Sequence, residues 1–191
     1  FVVLRLCVRQ NRELLNFETI AISGYDDDNE TDGIHVLADK KVAYARRYVG
    51  YVDLSAKLEQ WTKDSIIVLS NGEFTALRIS SERKQQARRV LVERYGRRTV
   101  RYRLLAILIY LVVQDDLGQI DTLYIDRDYE GANAEAAIMN VLLHLFRCNG
   151  HEQQAAFVRF ANVKGSTADT MARRIYLGKE APPISISWEA L

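Results

Sequence analysis

The chain is poor in proline: 191 residues hold two, adjacent at Pro182-Pro183. A proline-rich linker inside the chain is excluded, and nothing in the composition suggests a low-complexity segment or an internal repeat. Cysteine is equally scarce. Cys7 and Cys148 lie far apart and in no CxxC spacing, which argues against a disulfide framework or a zinc knuckle and makes a reducing cytoplasm the expected compartment. Long apolar runs are missing as well. The longest, LLAILIYLVV at 104–113, is too short to span a bilayer and reads as a buried element, so no membrane partner is expected. A secretory signal is not expected either, because Arg5 and Arg9 interrupt the apolar FVVLRLCVRQ. Charge of one sign is not in excess: 26 Lys and Arg against 25 Asp and Glu leave +1. The overall balance is therefore silent on nucleic acid, and local clusters must decide. The three histidines, His35, His144 and His151, are scattered, and none is placed to serve as a proton shuttle.

What is present suffices for a compact domain. Hydrophobic residues make up 48% of the chain, enough for one core over 1–191, with 1–63 compatible with an elaborated N-terminal portion of the same sheet. Strand-like runs precede and follow the acidic loop YDDDNETDG (25–33), which lacks the spacing and terminal Glu of a calcium-binding EF-hand. A further strand is expected in AYARRYVGYVDL (43–54), then a short helix in SAKLEQW. Around Asn71-Gly72, DSIIVLSNGEFTALRIS predicts a hairpin with a type I′ turn. Ser80-Ser81 can cap a helix from about Glu82 to Tyr95, which Gly96 ends. Residues 97–114 read as a second helix, although the β-branched content leaves a strand open. Then come a strand at 120–125, a helix from 131 to about 147, a strand at 156–163 and a helix at 167–176. Strands alternating with helices imply parallel pairing under covering helices. The expected fold class is α/β: a mixed central sheet with N-terminal meander strands and C-terminal βαβα units.

Ligands of open α/β sheets gather at the carboxyl ends of parallel strands. In LYIDRDYEG the strand ends at Asp126. The following strand leads into KGSTADTMARRI, where Asp169 falls near the first turn of the last helix. Two carboxylates brought together repel, and a divalent cation relieves the repulsion. Oxygen ligands suit Mg²⁺ or Mn²⁺ rather than zinc. Asp126 and Asp128 are also favoured turn and cap residues. Asp126 is thus expected to hold a metal, whereas Asp128 and Glu130 are expected to shape the turn.

The order of meander strands, helix, strand, helix, strand, helix resembles the ribonuclease H-like superfamily. LYIDRDYEG looks like its fourth strand, and VKGSTADTMARRI like the entry to its last helix. The match lies mainly in the C-terminal half. The resemblance implies a metal-dependent nuclease, or a related phosphoryl-transfer enzyme, with two metals held by four acids. Asp126 and Asp169 match its motifs. The implied first-strand Asp is Asp26, with Asp53 as alternative. The implied helix Glu is Glu93, with Glu82 as alternative. The implied catalytic set is Asp26, Glu93, Asp126 and Asp169, with Asp26, Asp126 and Asp169 on the metal.

RKQQARRVLVERYGRRTVRYR (83–103) is strongly basic, with Tyr95 and Tyr102 interleaved. Arg88, Arg89, Arg97 and Arg98 are thus candidates for phosphate contact, with DNA or RNA undecided; Lys164 and Arg173 join them beside the carboxylates. The same stretch also reads as a solvated face. Two other functions stay open. One is a restriction-endonuclease-like nuclease built on Asp32, Asp39 and Lys41. The other is a ribonuclease H-like module without catalysis, serving binding or assembly. A protein partner or self-association also stays open, with Trp188 in the C-terminal tail as one docking point.

Overall fold

The structure is a computed structural model and describes residues 47–129, 131–151, 157–181 and the backbone of 184–185. Expectations for Asp26, Asp32, Asp39, Lys41, Glu130 and Trp188 fall outside the described residues. Within them the order is β1 (Tyr48–Ser55), β2 (Ser65–Ser70), β3 (Phe74–Ile79), α1 (Ser81–Tyr95), α2 (Val100–Val113), β4 (Ile120–Asp126), α3 (Ala132–Cys148), β5 (Val158–Ala161), α4 (Thr167–Tyr176) and β6 (Ile184–Ser185). The strands form one mixed sheet ordered β5-β4-β1-β2-β3-β6. β1–β2 and β2–β3 are antiparallel; β1–β4, β4–β5 and β3–β6 are parallel. The α/β class, the leading meander and the trailing βαβα units are as the sequence implied.

The strand patterns follow from which faces are covered. β2, SIIVLS, is buried at every position, because helices lie on both sides of the sheet centre. On one side Ile67, Leu69, Leu77, Leu123 and Ile125 pack with α1, α2 and α3. On the other, Ile66, Val68 and Ala76 pack against Ala168, Ala172 and Ile175 of α4. The small alanines let α4 approach closely. α2 resolves the ambiguity of its β-branched sequence: it is a helix buried almost all round, with Leu104–Tyr110 inside the core. Its apolar run has no polar face because other elements surround it. Gly50 lies in the centre of β1, where a Cβ would come within 3.1 Å of both Leu123 Cδ1 and Leu69 Cδ1.

Two local expectations need correction. The β2–β3 hairpin exists, but its loop has three residues, Asn71 to Glu73, between the Ser70–Phe74 pair. Gly72 alone takes a positive φ, +110°, so a type I′ turn is ruled out. Asn71 instead ties the loop with its side chain: Oδ1 accepts from the Glu73 N–H at 3.1 Å. SAKLEQW is likewise not a helix. Ala56 has φ +67°, which breaks a helix at its start, and the chain passes through turns closed by Gln60 N–H to Lys57 C=O and Lys63 N–H to Gln60 C=O.

A buried lysine holds this turn segment against the sheet. Lys84 of α1 is fully buried; its Nζ donates to the Gln60 carbonyl and to Ser65 Oγ, both at 2.9 Å. The Ser65 hydroxyl donates in turn to the Ala56 carbonyl at 2.7 Å. Burial brings the Lys84 pKa down to about 8, against the opposing pull of Asp64 and Glu59. Asp64 also accepts from the Ser81 N–H at 2.8 Å and from Arg78 Nε at 2.9 Å, so the start of α1 is fixed beside the Ser80 cap. Removing the ammonium leaves buried acceptors without donors, and removing the stem leaves a cavity. Lys84→Ala should therefore cost about 2–4 kcal/mol in urea unfolding. Lys84→Met keeps the volume and should cost less. Equal stability of all three proteins would refute this role.

Candidate functional site

The parallel pairing of β1 and β4 brings their carboxyl ends together. Val52 pairs with Ile125, so the next residues, Asp53 and Asp126, are neighbours at one end of the sheet. Val52 and Ile125 belong to the core beneath α1–α3. Alternation along a strand turns Asp53 and Asp126 to the opposite side, where α4 packs. Asp169 lies in the first turn of α4. Asp53, Asp126, Asp169 and Asp128 line one cavity of about 570 Å³, together with Lys164 and Arg173.

The loop before α4 is built around two of these acids. Asp126 Oδ1 accepts from the Val163 N–H at 2.9 Å. Asp169 Oδ2 accepts from the Gly165 N–H at 2.8 Å, and Gly165 permits the turn with φ +83°. Ser166 caps α4, its hydroxyl accepting from the Asp169 N–H at 3.2 Å. Asn162 Oδ1 accepts from the Lys164 N–H at 2.9 Å. The loop thereby places Lys164 at the cavity. Neither Lys164 nor Arg173 forms an ion pair with an acid among the described residues.

The electrostatic consequence falls on Asp53. Burial, then repulsion from Asp128, Asp126 and Asp169, raises its pKa to about 7. Asp128 rises to about 6, through burial and then Asp126, with Lys57 opposing. The all-oxygen donor set fits a hard divalent cation chemically, and Asp53, Asp126, Asp128 and Asp169 are the residues that would hold it. Their present arrangement is not a closed cage. Among the described residues no three His, Cys, Asp or Glu side chains stand ready to clamp an ion. Asp126 and Asp169 each commit one oxygen to the loop backbone.

Of the residues singled out in the sequence, the structure brings together Asp126, Asp169, Lys164 and Arg173. Asp26 lies outside the described residues. Glu93, like Glu82, is exposed on α1 and does not line the cavity. Asp53, the alternative to Asp26, stands beside Asp126 at the end of β1 and lines the cavity. Asp128, expected to shape the turn, makes no hydrogen bond to it among the described residues and faces the acids instead. The helix after it is capped at Gly131 without a side-chain bond. The available signal for Asp128 was its two-residue spacing from Asp126. Arg88, Arg97 and Arg98 line a separate cleft with Trp61, whereas Arg89 is exposed on α1 outside it.

The raised carboxyl values fix a pH dependence. An unfolded Asp releases its proton near 3.8, but folded Asp53 keeps it to about 7. Across that window the folded state binds more protons, so stability is highest below the lower value and declines as pH rises to about 7. Asp128 acts in the same direction up to about 6. In EDTA, the thermal midpoint should rise as pH falls from 8 to 5. Asp53→Asn should flatten that slope and raise the midpoint at pH 8 by on the order of 5 °C. Differential scanning fluorimetry across the range checks both; a wild-type midpoint that falls on acidification would contradict the proposed repulsion.

No family model, curated protein or solved structure matches this chain.

Proposed function

We propose that the protein is a metal-dependent nuclease, or a related phosphoryl-transfer enzyme, of ribonuclease H-like architecture. The observation that carries this reading is the convergence of Asp53, Asp126 and Asp169, from two parallel strands and a helix, on one cavity beside Lys164 and Arg173. The meander followed by βαβα units supports the architecture. The two helices between β3 and β4, where the resemblance implies one, mark a departure from it.

Divalent cations held by such acids supply an activated water and stabilise a leaving oxygen in phosphodiester displacement. The protein's own residues do the rest. Asp53, Asp126 and Asp128 concentrate negative charge that a bound cation would offset. Lys164 and Arg173 then receive the phosphate oxygens from the loop and helix side. Asp169 holds the Gly165 turn and so fixes where Lys164 stands.

A second reading has its own support. The carboxylates' hydrogen bonds to Val163 and Gly165, and the open arrangement of the four acids, also suit a module that binds without cutting. Calorimetry with Mn²⁺, followed by cleavage of labelled single strands, duplex DNA and an RNA/DNA hybrid, separates the two. Under the nuclease reading Mn²⁺ binds, and Asp53→Asn or Asp126→Asn lowers cutting by about 100-fold or more, about 2.7 kcal/mol in the barrier. Glu93→Gln leaves cutting unchanged. A folded protein that neither binds Mn²⁺ nor cuts any of the three belongs to the second reading.

A further inference from the structure

A second, oppositely charged cleft lies at the corner between α1 and α2. It encloses about 410 Å³ and is lined by Arg88, Arg97, Arg98, Arg101, Trp61 and Glu59, among others. Two of its arginines are oriented by aromatic rings. Arg88 lies over Trp61, 4.8 Å from the ring centre, and Arg101 lies 4.8 Å from Tyr102, whose hydroxyl accepts from it at 2.7 Å. The other two, Arg97 and Arg98, follow the α1 cap at Gly96 and have no acidic partner among the described residues. Glu59 is the cleft's one carboxylate among the described residues, and it is already engaged: the Tyr129 hydroxyl donates to Oε2 at 2.6 Å. Among the described residues, four guanidiniums against one carboxylate leave a positive excess in a concave site.

The position of the cleft gives that charge a purpose. The turn segment after β1 forms part of both clefts: Ala56 lines the acidic cavity, and Glu59 and Trp61 line the basic one. Tyr129 joins them from the other side. Its hydroxyl accepts from the Leu58 N–H at 3.2 Å, its ring lies 5.5 Å from the Arg101 guanidinium, and its chain neighbour is Asp128. The Ala56–Trp61 turn is therefore a wall shared by the two sites.

We propose that the arginine cleft anchors backbone phosphates of a nucleic-acid strand that crosses the Ala56–Trp61 turn into the acidic cavity. A polymer with a phosphate at every unit meets both demands. One phosphate sits among the guanidiniums, which suit bidentate phosphate contact, and another enters beside Lys164 and Arg173. An acidic peptide would fill the basic cleft but carries no phosphodiester to present to the carboxylates. The inference rests on the nuclease reading only for the position of the reacting bond; strand anchoring stands or falls separately. It makes the substrate a strand long enough to cover both clefts, held irrespective of sequence.

The test is anisotropy with a labelled single-stranded oligonucleotide in EDTA over a salt series, using wild type, Arg97→Ala/Arg98→Ala and the remote Lys179→Ala. Both arginines are exposed in the connecting turn, and an unchanged thermal midpoint shows that the double variant folds. Loss of two phosphate contacts should weaken binding about 10-fold or more and reduce the log–log salt slope by about 1.4. Lys179→Ala should bind as wild type does. With Mn²⁺ present, a dinucleotide too short to span the wall should be cut equally by wild type and the double variant. Unchanged oligonucleotide affinity in the double variant overturns the proposal, as does wild type that binds no oligonucleotide. Displacement of the oligonucleotide by polyglutamate at equal charge also overturns it, in favour of an acidic protein partner. Wild type that binds through these arginines yet cuts nothing upholds the anchor and removes the nuclease reading.

Discussion

Parallel pairing between β1 and β4 is the constraint from which the candidate site follows. Antiparallel neighbours would put Asp53 and Asp126 at opposite ends of the sheet. Parallel ones put them side by side. Such pairing needs a crossover through other elements, which here is the long route through β2, β3, α1 and α2. The large apolar surface of α2 is thus part of the same device as the carboxylates: it covers the sheet face and lets β4 return beside β1. Burial of its many aliphatic side chains, at roughly 1.5–3 kcal/mol each, gives the fold room to tolerate repulsion among four acids at the sheet end.

The two faces of the sheet divide the work. The face under α1, α2 and α3 carries nearly all the aliphatic core. The face under α4 is thin, with Ala168 and Ala172 against Ile66, Val68 and Ala76. Small side chains there bring the start of α4, and Asp169 with it, close to the ends of β1 and β4. Larger residues at 168 or 172 would lift the helix away from the strands. The spacing between carboxylates is therefore set by packing beneath α4 as much as by the strand ends.

The parts legible in the sequence are those governed by neighbours in the chain. The helix expected at 167–176 is α4, and Asn71-Gly72 located the hairpin. Asp126 and Asp169 were legible because each ends or begins a regular element. The choice between Asp26 and Asp53 was of another kind. It depends on which strand pairs with β4, a contact between residues some seventy positions apart, and no local pattern encodes it. SAKLEQW failed for a similar reason: its helix-forming composition yields to the positive φ at Ala56 and to tethering by Lys84 and Ser65. Asp128 lines the cavity, and a turn acid and a cavity-lining acid look alike in sequence until the neighbouring strand is in place. The basic 83–103 stretch announced its charge, but the gathering of Arg88, Arg97, Arg98 and Arg101 in one cleft with Trp61 required the corner between two helices.

The loop before α4 shows why charge and shape must be separated at this site. Asp126 and Asp169 are acids facing the cavity and also acceptors that hold Val163 and Gly165. Truncating either to alanine would release the loop and move Lys164, so lost activity would say nothing about the carboxylate's charge. Asparagine retains an acceptor oxygen for the same backbone N–H while removing the charge. The same reasoning distinguishes Asp53, whose raised pKa traces to burial and three neighbouring acids. Its negative charge is the one the fold supports least without a cation. Among the four acids it is therefore the position where charge removal and cation binding should act in the same direction on stability and in opposite directions on chemistry.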